Sequence, residues 1–211
     1  GEPEVKDESL NIDLSFNINP GKRTYVRKIN FQGNEYTQDQ VLRRELRQYE
    51  GVWARDDAIE AGKIRLERLG YFKEVIVETN PVPGRDDEVD ILYKVEEENT
   101  GQIGGNIGYS DFGLMLGFNL QERNFIGSGN TVGVGINKNV YSESYNFSFF
   151  DPYASKDGVS RGYNAYYRKT DFGEFNIANY LTNSYGAGIQ FGYPLSDTQR
   201  VGLNLTYDST D

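Results

Sequence analysis

The chain has 211 residues, 32 acidic and 22 basic, with a net charge of −10 and neither cysteine nor histidine. That composition excludes disulfide and thiolate chemistry, removes the commonest general base and metal ligand, and leaves no cationic face for a nucleic-acid partner. No run of about 18 apolar residues occurs, so no transmembrane helix is expected, although a mean hydropathy of −0.66 is compatible with a transmembrane barrel, where half of each strand faces a polar lumen.

Texture changes near residue 99. Before Thr100 lie 22 acidic and 15 basic residues against 10 and 7 after it, while most of the 16 Tyr and 12 Phe fall in the second half. Two parts are therefore expected. The polar start, residues 1–8, has no apolar h-region and reads as the interior of a longer polypeptide.

Taken in order, Leu10, Ile12, Leu14, Phe16 and Ile18 alternate with polar residues, the period of a half-buried strand. Pro20-Gly21 ends it, and a second strand is predicted over 25–31. Residues 37–40 have capping-box spacing, in which Thr37 and Gln40 would satisfy the free amides of a helix start. Leu42, Leu46 and Tyr49 continue that helix to Gly51. A second helix is predicted from Asp56-Asp57 to Gly70, burying Ala58, Ile59, Gly62, Leu66 and Leu69, with the two aspartates at its cap. Strands over 73–80 and 88–96 follow, joined by 81–86. Strand, helix, helix, strand, strand is most simply one helical layer on a three-stranded sheet, and its open edges invite another strand.

From residue 102 the pattern is all-β. Seven strands are predicted, over 102–109, 112–121, 132–137, 145–149, 163–168, 185–193 and 201–208. Leu114, Leu116, Phe118 and Leu120 alternate with Gly113, Met115, Gly117 and Asn119, and the later strands repeat the scheme. One face is bulky and apolar; the other is Gly, Asn, Gln and Thr. Strands of about 8 to 10 residues, tilted, span the roughly 25 Å apolar band of an outer-membrane barrel. A soluble sandwich would place charge on its polar face. Tyr141, Tyr145, Tyr153, Tyr163, Tyr193 and Tyr207 are expected in an aromatic girdle near the strand ends. Seven strands leave edges open, which hydrocarbon does not tolerate, so further strands are expected downstream.

Within this order, residues 25–34, 41–47 and 68–72 resemble a POTRA domain and 89–97 its last strand. Asn99-Thr100-Gly101, residues 124–129 and Asp151-Pro152-Tyr153 resemble the start of the barrel in the BamA family of outer-membrane protein assembly factors. The fold implied is an α+β POTRA domain (β-α-α-β-β) followed by antiparallel strands of a transmembrane β-barrel, incomplete in this chain. Residues 1–21 are then the end of a preceding POTRA domain with a hinge, 22–98 the barrel-proximal POTRA, and 99–211 the first part of the barrel.

The resemblance implies a bacterial outer-membrane protein with a periplasmic POTRA part. It inserts nascent outer-membrane β-barrel proteins into the lipid bilayer without covalent chemistry, cofactor, metal or nucleic acid. Gln102, Ile103, Gly104, Gly105, Asn106, Ile107, Gly108 and Tyr109 form the lateral-gate strand, whose glycines weaken closure; the plainer reading is that they relieve crowding in a lumen-facing row. Arg43, Arg44, Arg47 and Glu50 are the candidate docking face for periplasmic lipoproteins of the assembly complex, against the plainer reading of a solvated helix face. The run Glu96-Glu97-Glu98 is expected to be a solvated strand end rather than a cation site. Related POTRA-barrel transporters, of two-partner secretion or of the translocation and assembly module, are the alternative. A porin needs no such domain, and an adhesin should carry longer external loops.

Overall fold

The computed structural model describes residues 23–110, 113–171, 173, 181–196 and 199–211. The strand expected at 10–19 and the preceding-domain reading of 1–21 lie outside the described residues.

The first part runs β1 (Tyr25–Gln32), α1 (Asp39–Arg43), α2 (Asp56–Arg68), β2 (Phe72–Val82) and β3 (Arg85–Glu97). Its sheet has the order β1-β3-β2, with β1 parallel and β2 antiparallel to β3. The core lies between this sheet and the helical side, built from Val26, Ile29, Leu42, Leu46, Ile59, Leu66, Ile91 and Tyr93. Tyr93 is wholly buried and donates its hydroxyl to the Ile59 carbonyl at 3.1 Å, which gives that polar atom the partner burial demands. Burial pushes the Tyr93 hydroxyl pKa up to about 12. Gly62 makes room for it: a Cβ there would lie 2.9 Å from the Tyr93 oxygen.

The first helix departs from expectation. It spans only Asp39–Arg43, is preceded by Gln38, and has no side-chain cap. The Thr37 hydroxyl is engaged by Asn124 at 2.8 Å instead, so tertiary structure outcompetes the local capping box. Past Arg43 the chain tightens, with Glu45 and Leu46 donating to the carbonyls of Leu42 and Arg43, which still delivers Leu42 and Leu46 to the core but leaves Tyr49 exposed. Buried Gln48 then organises the approach to α2, donating to the carbonyls of Tyr49 and Trp53 and accepting from the Arg55 N–H at 3.0 Å. The β2–β3 connection is also tighter than 81–86, since the strands reach Val82 and Arg85 and Gly84 takes φ 79°.

The second part is a meander of seven strands. These are β4 (Gly101–Ser110), β5 (Gly113–Phe125), β6 (Asn130–Lys138), β7 (Ser142–Asp151), β8 (Ser160–Asp171), β9 (Leu181–Pro194) and β10 (Arg200–Thr210). Each pairs antiparallel with its sequence neighbour, in the order β10 to β4. Register carries one apolar row through Ile103, Leu120, Val134 and Phe147, and a polar row through Gly104, Asn119, Gly135 and Asn146. The polar row interlocks by size. A Cβ at Gly104 would lie 2.3 Å from the Asn119 amide oxygen, and one at Gly135 would lie 2.2 Å from that of Asn146. The irregular fifth strand of the sequence is a regular 12-residue strand, β8, with unbroken register to both neighbours. Tyr145, Tyr167 and Tyr185 align across three strands, the first two rings 6.4 Å apart, as a girdle requires. Tyr153 is not with them; it lies in the β7–β8 turn beneath Arg44.

Candidate functional site

Strand β4 pairs with β5 through ten consecutive residues, from Gly101 opposite Glu122 to Ser110 opposite Gly113. Among the described residues no strand lies on its other side. Ile103, Ile107 and Tyr109 are 75%, 80% and 85% exposed, against 44% for Leu116 and Phe118 one strand further in. The four glycines of β4 are not equivalent. Gly104 faces Asn119, Gly101 faces Glu122 and Gly108 faces Met115, each close enough that a Cβ would press on the opposing side chain. Gly105 has only the Gly117 carbonyl oxygen, 3.8 Å from where a Cβ would stand. Crowding accounts for the first three and leaves the fourth unexplained.

The expected docking residues divide. Arg43 pairs with Asp39 at 3.2 Å and Glu50 at 3.4 Å, and also donates to the Ile29 carbonyl at 3.1 Å. Glu50 accepts the Ile29 N–H at 2.8 Å. Together they occupy backbone groups on the outer edge of β1, and exposed Arg47 is near them in sequence. Arg44 does not share this role. Its guanidinium lies over the Tyr153 ring, 4.3 Å from the centroid, at the contact with the barrel sheet, because successive residues of a helix point about 100° apart.

That contact was not legible beforehand. Asn124, 1% exposed, donates its side-chain amide to the Thr37 hydroxyl at 2.8 Å and accepts the Gly129 N–H at 2.8 Å. The Gln38 N–H donates to the Gly127 carbonyl at 2.9 Å, and the Tyr71 hydroxyl donates to that of Gly129 at 3.2 Å. Burial raises the Tyr71 hydroxyl pKa. Gly127 at φ 67° permits the approach, since a Cβ would fall 1.9 Å from the Tyr36 carbonyl oxygen. Glu97, expected to be solvated, instead accepts the N–H groups of Tyr36 and Thr37 at 2.9 and 2.7 Å. Burial pushes its carboxyl up, but the Thr37 side chain and the N–H groups of Tyr36, Thr37 and Glu35 outweigh burial and hold it below its ordinary value. The available signal was the Gly127 and Gly129 pair flanking Ser128 after a polar Asn124, which marks a tight turn without naming its partner.

Residues 24–98 match the POTRA family, described as surface antigen variable number repeat, and residues 124–211 match the Omp85 superfamily domain. The chain is 33% identical over 207 residues to outer membrane protein assembly factor BamA of Neisseria meningitidis, covering 97% of this chain and 26% of that protein. With BamA of Buchnera aphidicola the identity is 32% over 207 residues, 98% of this chain and 34% of that protein. The crystal structure of BamA from Haemophilus ducreyi lacking POTRA domains 1-3 matches with a TM-score of 0.76 at 39% identity, over 91% of this chain and 36% of that one. CdiB from Acinetobacter baumannii, with a TM-score of 0.60 at 16% identity over 89% of this chain and 38% of that one, shares the fold alone. The chain thus spans 26% to 34% of the length of these curated relatives. A POTRA domain spliced to an antiparallel sheet of Omp85 barrel strands, and aligned with BamA along nearly the whole of this chain, is the architecture of an outer-membrane protein similar to the BamA assembly factors, with its POTRA part in the periplasm.

Proposed function

We propose that the protein to which this chain belongs assembles and inserts β-barrel proteins into the bacterial outer membrane, with β4 as the working edge of a barrel seam. The observation that carries the reading is that β4, free of charged side chains, has a Gly105 that answers to no local crowding. A strand entering hydrocarbon needs partners for its backbone groups, at several kcal/mol for each one left unsatisfied. An edge that closes weakly offers those partners by β-augmentation. Gln102, Ile103, Gly104, Gly105, Asn106, Ile107, Gly108 and Tyr109 template the incoming strand. No bond is made or broken covalently, so no catalytic residue, cofactor or metal is assigned.

Periplasmic lipoproteins dock on the face of Arg43, Arg47 and Glu50, while Arg44 faces the barrel. Domain limits of 1–21, 22–98 and 99–211 belong to the same reading. It is tested by placing single cysteines along 102–109 of the full-length protein and crosslinking to a stalled barrel substrate. Crosslinks should exceed those from mid-sheet β7. Equal yields in a working protein would overturn the seam, and outer-membrane barrels that persist after depletion would favour a transporter.

A further inference from the structure

A closed circuit of hydrogen bonds surrounds the short connection from β3 to β4. Glu97 accepts the Tyr36 and Thr37 N–H groups. The Thr37 hydroxyl accepts from the Asn124 side chain at 2.8 Å, and the Asn124 N–H donates to a Glu122 carboxylate oxygen at 2.9 Å. That same oxygen accepts the Thr100 hydroxyl, and Thr100 leads back through Asn99 and Glu98 to Glu97. Thr37, Thr100 and Asn124 are 2%, 6% and 1% exposed, so a severed bond would leave a buried group without a partner. The Glu98 N–H is itself held by the Tyr71 carbonyl at 2.9 Å.

Residues 98–100 are therefore a splice and not a free hinge. Glu122 stands opposite Gly101, where a Cβ would lie 2.9 Å from its other carboxylate oxygen. The missing side chain lets the carboxylate sit at the root of β4. We infer that the Thr100–Glu122 hydrogen bond is a clasp that fixes the periplasmic end of β4 to the POTRA domain, so that the domain and the β4–β5 hairpin move as one body. This rests on β4 being the working edge. Thr100 and Glu122 are positioning residues, acting through β4 and touching no substrate.

The test uses the full-length protein in phospholipid vesicles, with spin labels at Glu60 on α2 and either Asn106 on β4 or Lys138 on β6. Thr100→Val removes the donor at nearly constant shape. It should broaden the 60–106 distance distribution, leave the 60–138 distribution unchanged, and slow insertion of a barrel substrate by about tenfold, the scale of one lost hydrogen bond to a carboxylate. Thr100→Ser should restore both readouts. Glu122→Ala, approaching from the acceptor side, should reproduce the broadening. An unchanged 60–106 distribution in either Thr100→Val or Glu122→Ala overturns the clasp. Substrate crosslinking from 102–109 in the same samples separates the two readings: broadening without crosslinks keeps the clasp and removes the seam, and crosslinks without broadening do the reverse.

Discussion

At the outer edge of β1, Glu50 takes the Ile29 N–H, Arg43 takes the Ile29 carbonyl, and Val26 exchanges bonds with Gly51 and Val52. At the outer edge of β4 no strand lies alongside among the described residues, and the apolar side chains there are the most exposed of the sheet. An unpaired edge is a template for other chains, and proteins ordinarily blunt it. One edge is blunted by charge and a crossing segment, while the other carries glycine and no charged side chain from Gln102 to Tyr109. The difference is one of composition: charge and a crossing segment cap the outer edge of β1, and β4 brings no such cap of its own. It also gives Arg43 and Glu50 a structural duty that any docking role must share.

The two sheets also differ in what covers their apolar faces. Leu66 is fully buried in the POTRA core, whereas Leu116 is 44% exposed on the outward face of β5. Leu66→Ala should lower the stability of the POTRA domain by about 3–5 kcal/mol, because the protein keeps the cavity. Leu116→Ala should cost about 1–2 kcal/mol in the membrane, since acyl chains close over the vacated volume and only the transfer free energy is lost. Native-state hydrogen exchange of the full-length protein reports both. Equal losses would place Leu116 in a packed protein core and break the comparison.

The splice between the sheets gives the next largest effect. Gly127→Ala meets both a φ of 67° and the Tyr36 carbonyl oxygen 1.9 Å from the new Cβ, and should weaken the junction by about 2 kcal/mol. Exchange should quicken at residues 36–38 and 124–130 while the amides around Leu42 and Leu66 stay protected. Gly84→Ala has a φ of 79° but nothing within 4 Å, so it should show the backbone strain alone, about 1 kcal/mol.

What the sequence discloses follows the range of the forces involved. Period-two alternation is local, so all seven barrel strands and their two faces are legible in the sequence, and Leu42, Leu46, Ile59 and Leu66 are legible as core from helical spacing. The capping box at Thr37 misleads because its hydroxyl is claimed by Asn124, 87 positions away. Glu97 in its acidic run looks solvated because nothing nearby in sequence announces the two amides it binds, 60 and 61 positions back. Arg43 and Arg44 are adjacent and chemically alike, and helical rotation of about 100° points them apart, but only the tertiary fold brings β1 to one and Tyr153 to the other. Buried polar contacts between domains are long-range and few, so they leave no periodic trace.

Glu97 makes the junction sensitive to acid. Its carboxyl is held below the ordinary value of 4.5, so the charged form is favoured in the folded state. The stabilisation is fully present above 4.5 and is lost as pH falls through the depressed folded value. The carboxylate is partly exposed, which keeps the effect small. Limited proteolysis of the connection at residues 98–100 should accelerate below that window. Glu97→Gln should remove the pH dependence while raising the cleavage rate at neutral pH. Unchanged acid sensitivity in the variant would assign it to another carboxylate.

The smallest expected free-energy change is the most telling for β4. Gly105 lies in the outward row, opposite Phe118, with φ outside the left-handed region and no atom closer than 3.8 Å to a new Cβ. Gly105→Val should therefore strengthen the β4–β5 pairing by about 0.5–1 kcal/mol, through lower backbone entropy in the unfolded chain and added packing on Phe118. Gly104→Val, pressed against Asn119, should weaken it. If the glycines serve only to relieve crowding, Gly105→Val is silent or beneficial in substrate assembly. If β4 must part from a closing strand, the more stable variant assembles substrate more slowly, and the gain in hydrogen-exchange protection of 102–109 should rise as the insertion rate falls. Stability and activity moving together in Gly105→Val would return β4 to the status of an ordinary barrel strand.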